Sequence, residues 1–450
     1  MNYDAIILGF GKAGKTLAGA LAKQGKSVAL VEKSRGMYGG TCINVGCIPS
    51  KSLVTSAAAS ALHPQASYEE KAERYAAAIA EKRRVTGLLR GKNYDKLHDL
   101  PNVTILDGFA RFLSEHQVEV TLTDGGTALL EAEQIFINTG STPLVPEIPG
   151  IAGNPAVYTS EGLMEEDRLP RRLVLLGAGY IGMEFASLYA SFGSEVTVLQ
   201  DGAAFLPKED RDVAEAVRSI LEGQGVRFLL GAKPQRLEGG TVTYLQDGAE
   251  RSLTADAVLV ATGRTPATTG LQAEKAGVAL TARGAVQVDS LLRTTAPGIW
   301  AMGDVNGGPQ FTFVSLDDFR IVFSQLGGGE RTRDDRQNVP YSVFMATPLS
   351  RVGLTEQQAA AQNLPIRVLK LPTAAVPKAQ VLRHTEGFLK AIVHAESGRI
   401  LGAALLCPES YELINLVKLA MDFDLPYTVL RDRIYTHPTM TEALNDLFAL

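Results

Sequence analysis

The stretch Ala5-Ile6-Ile7-Leu8-Gly9-Phe10-Gly11-Lys12-Ala13-Gly14 decides how the rest of the chain is read. Its apolar start fits a strand buried on both faces. The strand runs straight into Gly-x-Gly-x-x-Gly. The first glycine of such a fingerprint makes a tight turn, the second lets backbone approach a pyrophosphate, and the third packs the next helix on the strand. That helix begins with unpaired N–H groups that face phosphates. A second strand, Ser27 to Val31, closes at Glu32, 18 positions after Gly14. This is the spacing of a βαβ unit that holds a dinucleotide, and Glu32 suits a ribose hydroxyl pair.

The pattern occurs again. Leu173 to Leu176 leads through Gly177-Ala178-Gly179-Tyr180-Ile181-Gly182 to the strand Glu195 to Leu199, closing at Gln200, again 18 positions after the last glycine. Two copies in the same context predict two nucleotide-binding units. At the second copy the closing carboxylate, which favours an unphosphorylated ribose and repels a 2'-phosphate, is replaced by an amide. The expectation is loose nicotinamide preference, with both NADH and NADPH usable.

With 450 residues the chain has room for several cores, since one core rarely grows past about 250 to 300 residues. A formal charge of -5 lacks the basic excess of a nucleic-acid binder. No apolar run reaches the roughly 18 to 20 residues of a membrane span, and the first strand is not preceded by a signal-like segment. A cytoplasmic protein with neither nucleic acid nor membrane as partner is expected. Its three cysteines, Cys42, Cys47 and Cys407, do not make the disulfide framework of a small secreted domain.

Between the fingerprints, Ser52 to Leu97 reads as a helical pair, followed by short alternating strands such as Val118 to Leu122. Ala257 to Gly263 and Ile299 to Asp304 are apolar runs ending in glycine motifs, as expected of buried parallel strands that empty into ligand loops. The fold expected is α/β: two Rossmann-like dinucleotide-binding domains and a mixed α+β C-terminal domain. The expected division is 1–148 and 265–335 for the first domain, 149–264 for the second and 336–450 for the last.

The most informative segment is Gly39-Gly40-Thr41-Cys42-Ile43-Asn44-Val45-Gly46-Cys47-Ile48-Pro49-Ser50-Lys51. In a regular α-helix, residues five apart have Cα atoms roughly 8 to 9 Å apart, beyond the ~7 Å limit for a disulfide. Bridging demands a distorted turn, which Gly46 permits and Pro49 promotes. So small a loop removes little chain entropy, which argues against a purely stabilising bridge. A zinc site lacks further ligands, the nearest histidine in sequence being His63, and no metal is expected. A catalytic pair is the better reading.

Near the C-terminus, Tyr435-Thr436-His437-Pro438-Thr439-Met440-Thr441-Glu442 places a carboxylate five residues after an imidazole. Such a pairing fixes the tautomer and raises the basicity of the other ring nitrogen, fitting it for proton transfer with a thiol. Cys407 closes an apolar strand and reads as core.

In this order the cysteine segment, the two fingerprints, Ala261-Thr262-Gly263-Arg264, Gly303-Asp304 and His437-Pro438-Thr439-Met440-Thr441-Glu442 make the chain resemble, over essentially its whole length, the pyridine nucleotide-disulfide oxidoreductases of the glutathione reductase and dihydrolipoamide dehydrogenase type. The resemblance implies FAD behind a Cys42–Cys47 disulfide and NAD(P)H on the opposite flavin face. Cys47 would be the flavin-proximal, charge-transfer thiol and Cys42 the interchange thiol. His437 and Glu442 would serve the partner's active site, so a homodimer with an active site shared between subunits is implied.

On the FAD side the resemblance places Gly9, Gly11, Gly14, Glu32, Gly40, Thr41, the Thr139-Gly140-Ser141 loop, Gly303 and Asp304, the last bonded to the ribityl chain. Asn138 stands where that loop ordinarily begins with alanine. Lys51 and Glu184 match an ion pair beside the flavin ring. On the nicotinamide side lie Gly177, Gly179, Tyr180, Ile181, Gly182, Gln200 and Gly263, with Tyr180 matching a side chain that gates the pocket.

Tyr435 replaces a histidine frequent in dihydrolipoamide dehydrogenases, which disfavours lipoamide. Met37-Tyr38-Gly39-Gly40, Phe313 to Arg320, Asn338 to Met345 and Ala443 to Phe448 look like the bacterial RclA-type reductases. Those are linked to reactive chlorine resistance and to reduction of hypothiocyanous acid, HOSCN, with Cu(II) reduction also ascribed to them. An HOSCN reductase is therefore expected. A reductase for Cu(II) or other metal ions, a reductase of small disulfides, a dihydrolipoamide dehydrogenase and a non-enzymatic flavin redox sensor are the alternatives.

Overall fold

The computed structural model describes residues 1–450, which form two compact units. The first unit comprises Met1–Leu53, Ala77–Leu144 and Gly263–Arg336. Its seven-stranded sheet has the order Ile299–Ala301, Gln134–Ile137, Ala5–Leu8, Val28–Glu32, Val103–Phe112, Gln117–Leu122, Thr127–Glu131. The strands from Ile299 through Val103 pair in parallel, with Ala5–Leu8 between two neighbours. All four of its residues are buried, which is why it reads as an unbroken apolar run. Alternation still sorts them: Ile6 and Leu8 join one core, while Ala5 and Ile7 join the core under the fingerprint helix Lys12–Lys23. That helix buries Ala13, Leu17, Ala18 and Leu21, a stripe at helical spacing.

The helical pair expected from Ser52 to Leu97 is present as Cys47–Ala61 and Tyr68–His98. The first helix starts at the second cysteine, five residues earlier than composition suggests. Composition could not mark that start, because Ile48 and Pro49 sit in the first turn, where a missing N–H costs nothing.

The second unit comprises Val54–Ala76, Val145–Thr262 and Gln337–Leu450. It holds a five-stranded parallel sheet in the order Arg227–Leu230, Glu195–Gln200, Arg172–Leu176, Ala257–Val260, Val157–Thr159. The helix Tyr180–Phe192 follows its fingerprint and ends at Gly193, whose φ of 96° supplies the left-handed cap. The C-terminal part is a five-stranded antiparallel sheet, Tyr341–Val343, Leu349–Gly353, Ile400–Leu406, Phe388–His394, Ile366–Pro372. The helices Ser410–Asp422 and Ala443–Ala449 share its core, and Cys407 lies inside that core, fully buried. The architecture is the expected α/β frame with a C-terminal α+β part. No helix is long and apolar enough to cross a membrane.

Candidate active site

Packing imposes the third glycine of each fingerprint. A Cβ on Gly14 would stand 2.5 Å from Gly9 O, and one on Gly182 would stand 2.3 Å from Gly177 O. In the first copy Glu32 is buried and its Oε2 accepts from Phe10 N at 3.0 Å, with Oε1 accepting from Ser34 N at 3.3 Å. Burial raises its pKa, and these backbone donors oppose the rise. In the second copy Gln200 Oε1 accepts from Ala178 N at 2.8 Å, the same bond made by an amide.

Asn138 does what its place in the sequence did not announce. Buried at the end of Gln134–Ile137, its Oδ1 accepts from Gly14 N at 2.9 Å while its Nδ2 donates to Met302 O at 2.6 Å. One side chain thus ties the first fingerprint to the segment before Gly303-Asp304. Three residues on lies a further chain: Ser141 Oγ donates to Asp304 Oδ2 at 2.7 Å, and Arg264 Nε donates to Ser141 Oγ at 2.9 Å. Asp318 accepts from Gly303 N at 2.7 Å and from Asn306 Nδ2 at 3.2 Å and pairs with Arg336, so the Leu316-Asp317-Asp318-Phe319 segment anchors the Asp304 loop.

The first fingerprint fits FAD on two counts. Thr139 Oγ1 is buried with no hydrogen-bond partner in the protein, as expected of a group that a ligand satisfies. Gly140, at φ 75°, has nothing nearer than Thr41 Oγ1 at 3.9 Å to the side a Cβ would occupy.

The cysteine segment begins where Gly40 meets the fingerprint: a Cβ on Gly40, at φ 78°, would lie 2.7 Å from Gly11 Cα. Cys42 is the second residue of the short helix Thr41–Asn44, Val45 leaves helical geometry at φ −139°, and Cys47 is the first residue of the next helix. The break falls at Val45 and Gly46, the glycine expected to permit it, whereas Ile48 and Pro49 lie inside the second helix, so Pro49 does not make it. Asn44 holds it, donating through Nδ2 to Gly40 O at 2.9 Å and Tyr38 O at 3.0 Å. Both cysteines are thiols here, Cys42 part-buried and Cys47 the more exposed.

The Cys42 thiol is held far above its ordinary pKa, first by its hydrogen bond with Cys47 and then by burial; Thr312 and Lys15 pull the other way. Thr312 Oγ1 lies 3.6 Å from Cys47 Sγ, at the start of the helix Thr312–Leu326. Lys15, immediately after the third glycine, donates to Asn93 Oδ1 at 2.6 Å and Gly39 O at 3.4 Å. Burial lowers its pKa to about 8, with Lys12 adding to the fall and Cys42 opposing it. Lys15 and Thr312 escaped the sequence reading, although each adjoins a motif.

In the second unit Tyr180 opens the fingerprint helix, followed by Ile181. Glu184, one turn on and buried, accepts from Phe344 N at 2.9 Å. Lys51 Nζ lies 3.3 Å from Ser50 Oγ. Gly263 sits at φ 127° with open space where a Cβ would be, and its carbonyl accepts from Leu144 N at 2.9 Å. His437 Nδ1 and Glu442 Oε2 are 2.8 Å apart, with the imidazole side chain 70% exposed and the carboxylate 17%. Tyr435 instead donates to Leu430 O at 3.0 Å and packs on the C-terminal core.

One carboxylate cluster has metal-like spacing: Asp210, Asp212 and Glu356 offer oxygens within 4.8 Å of one another. The cation among them is Lys390, whose buried Nζ lies 3.1 Å from Asp210 and 2.9 Å from Asp212 and also contacts Glu356.

The chain as a whole is similar to known proteins. The family model described as pyridine nucleotide-disulphide oxidoreductase matches residues 3–318, and the dimerisation domain of the same family matches residues 339–448. The chain is 51% identical over 450 residues to an Escherichia coli protein named probable pyridine nucleotide-disulfide oxidoreductase RclA, covering 100% of this chain and 99% of that one. A mercuric reductase from Bacillus cereus is 33% identical, covering 98% of this chain and 70% of that protein. A dihydrolipoyl dehydrogenase from Mycobacterium tuberculosis is 34% identical, covering 99% and 97%. Among solved structures, the HOCl-induced flavoprotein disulfide reductase RclA from Escherichia coli superposes with a TM-score of 0.93 at 51% identity, covering 100% of each chain. The Cu(II) complex of that reductase gives 0.93 at 50%, covering 100% of this chain and 99% of that one.

Proposed function

The chain belongs to the pyridine nucleotide-disulphide oxidoreductases, and from that premise we propose that it is an NAD(P)H-driven reductase of small electrophilic oxidants, HOSCN first among them, acting through Cys42 and Cys47 in defence against oxidative stress. The carrying observation is the cysteine pair, set on either side of a helix break in a frame 51% identical end to end to a relative described as HOCl-induced. The enzyme uses FAD and a pyridine nucleotide, as its family does.

When bound, FAD supplies the two-electron relay from NAD(P)H to the disulfide. Glu32 and Asp304 would hold its ribose and ribityl hydroxyls, Thr139 Oγ1 would gain its missing partner, and the N–H groups at the start of Lys12–Lys23 would face the pyrophosphate. The chain's own part is to make and direct a thiolate. Cys42 attacks the sulfur of HOSCN, forming an S–S bond to the SCN group as hydroxide leaves and takes up a proton as water. Cys47 then attacks Cys42 Sγ, releases thiocyanate and closes the disulfide. Two thiols and HOSCN thus give a disulfide, thiocyanate, water and a proton.

The raised Cys42 pKa calls for a base, and His437 of the partner subunit, oriented by Glu442, is assigned that role in a homodimer joined through residues 339–448. Domain limits at 1–148, 149–264, 265–335 and 336–450 belong to the same reading. So does residence in the reducing cytoplasm, where a dithiol pair persists.

A second reading, Cu(II) reduction, draws on the relative's Cu(II) complex: two Cu(II) would each take one electron as the dithiol closes and releases two protons. Steady-state NAD(P)H oxidation by the holoenzyme against HOSCN, Cu(II), oxidised glutathione and lipoamide separates them. HOSCN is expected to be the best acceptor. Cys42→Ser and Cys47→Ser should each lose at least about 100-fold, since the remaining thiol cannot complete the exchange. Negligible HOSCN turnover alongside brisk Cu(II) reduction would select the second reading, and inertness toward all four would sink both.

A further inference from the structure

Tyr180 is tied down at the point where a dinucleotide would arrive. It follows Gly179, whose Cα faces open space with nothing within 4 Å of a built Cβ, and it begins the helix Tyr180–Phe192. Its hydroxyl donates to Glu209 Oε1 at 2.7 Å and lies 3.0 Å from the hydroxyl of Tyr341, which donates to the same Glu209 oxygen. The two rings stand 5.2 Å apart between centroids. Arg351 Nη1 completes the cluster, 3.4 Å from Glu209 Oε2, 3.2 Å from the Tyr341 oxygen and 2.8 Å from Lys208 O.

The charged centre of the cluster is shielded from water, while the two tyrosines that reach it are part-buried. Glu209 is 1% exposed and Arg351 7%. Burial, ahead of all other causes, raises the pKa of both phenols, so each keeps the proton it donates. Hydrogen bonds to a buried carboxylate are among the stronger ones, and their loss leaves that carboxylate short of partners. The strand that supplies Tyr341 also leads to Phe344, whose N–H binds Glu184 one turn farther along the Tyr180 helix. The segment Asn338 to Met345, singled out in the sequence but given no task by the chemistry, therefore grips the first two turns of the nucleotide-site helix.

We propose that Glu209, Tyr341 and Arg351 are positioning residues for the dinucleotide site: they hold the Tyr180 ring in one orientation beside Gly179 and thereby set nucleotide affinity. This rests on the reading of the second fingerprint as the NAD(P)H site. A ring released from Glu209 samples other rotamers, only some of which leave the approach to Gly179 clear. The apparent dissociation constant then rises as the competent fraction falls.

Calorimetric titration of the holoenzyme with NAD+ and with NADP+ tests the proposal in the parent, Tyr341→Phe, Tyr180→Phe and the double variant. Each single variant should shift the dissociation constant of the better-bound nucleotide about 5-fold or more in the same direction. The double variant should shift it no further, because one hydroxyl acts through the other. A Tyr341→Phe enzyme within twofold of the parent, or shifts that add in the double variant, would overturn it. Failure of the underlying reading looks different: the parent itself would bind neither nucleotide.

Discussion

The two glycine fingerprints obey one plan at the third glycine and part at the second. At Gly14 and Gly182 the protein's own backbone forbids a Cβ, so those glycines are needed whatever binds. At the second position, a Cβ on Gly11 would meet Asn138 Oδ1 at 2.6 Å, whereas Gly179 faces nothing within 4 Å. Gly11 is a packing glycine that also serves a ligand, and Gly179 has only a ligand to explain it. A conserved-looking motif thus mixes two kinds of constraint. The strand-end residues teach the same lesson, since Glu32 and Gln200 both accept from the N–H after the first glycine. The oxygen belongs to the turn, and only the charge distinguishes ribose types.

The largest effect should come from breaking the symmetry at the second glycine. Gly11→Ala drives a methyl into Asn138, which two hydrogen bonds hold in place, and should cost about 2–4 kcal/mol in urea unfolding, with loss of bound flavin. Gly179→Ala should stay within about 0.5 kcal/mol of the parent while weakening nucleotide binding. Equal destabilisation by the two would erase the distinction drawn here.

Restoring the charge at the second strand end comes next. Gln200→Glu keeps the acceptor for Ala178 and adds the repulsion of a 2'-phosphate, so the ratio of kcat/KM for NADH over NADPH should rise about tenfold, or about 1.4 kcal/mol. An unchanged ratio would place the ribose away from residue 200.

The smallest effect lies in the reverse exchange. Glu32 has its pKa raised by burial above the ordinary 4.5, so the folded protein holds that proton more tightly than the unfolded chain does. Its contribution is fully present below the unfolded value and is lost as pH rises through the folded one. In flavin-free protein, Glu32→Gln should therefore gain stability relative to the parent as pH rises from acidic to neutral, read by urea unfolding across that range. A difference that does not vary with pH would mean that Glu32 ionises as if in water.

Much of the frame could be read from sequence because its requirements are local: four buried apolar residues, a glycine turn and a polar strand end fall within 28 residues from Ala5 to Glu32. The break between Cys42 and Cys47 was readable for the same reason. What the sequence concealed is long-range. Asn138 reaches Gly14 and Met302, 124 and 164 positions away, and Tyr341 reaches Glu209 across 132. No periodicity announces such partners. Arg264 lay within a recognised motif, yet its tie to Ser141 appears only when the short strands Arg264–Pro266 and Ser141–Pro143 pair.

The Asn138 bridge also bears on how this region breathes. Because one buried amide serves the fingerprint helix with its oxygen and the Met302 segment with its nitrogen, neither can open without stripping a partner from the other. The two should behave as a single cooperative unit in local unfolding, with Gly14 and the amides around Gly303 exchanging their hydrogens together. Flavin release and loosening of the Asp304 loop would then be one event seen from two sides.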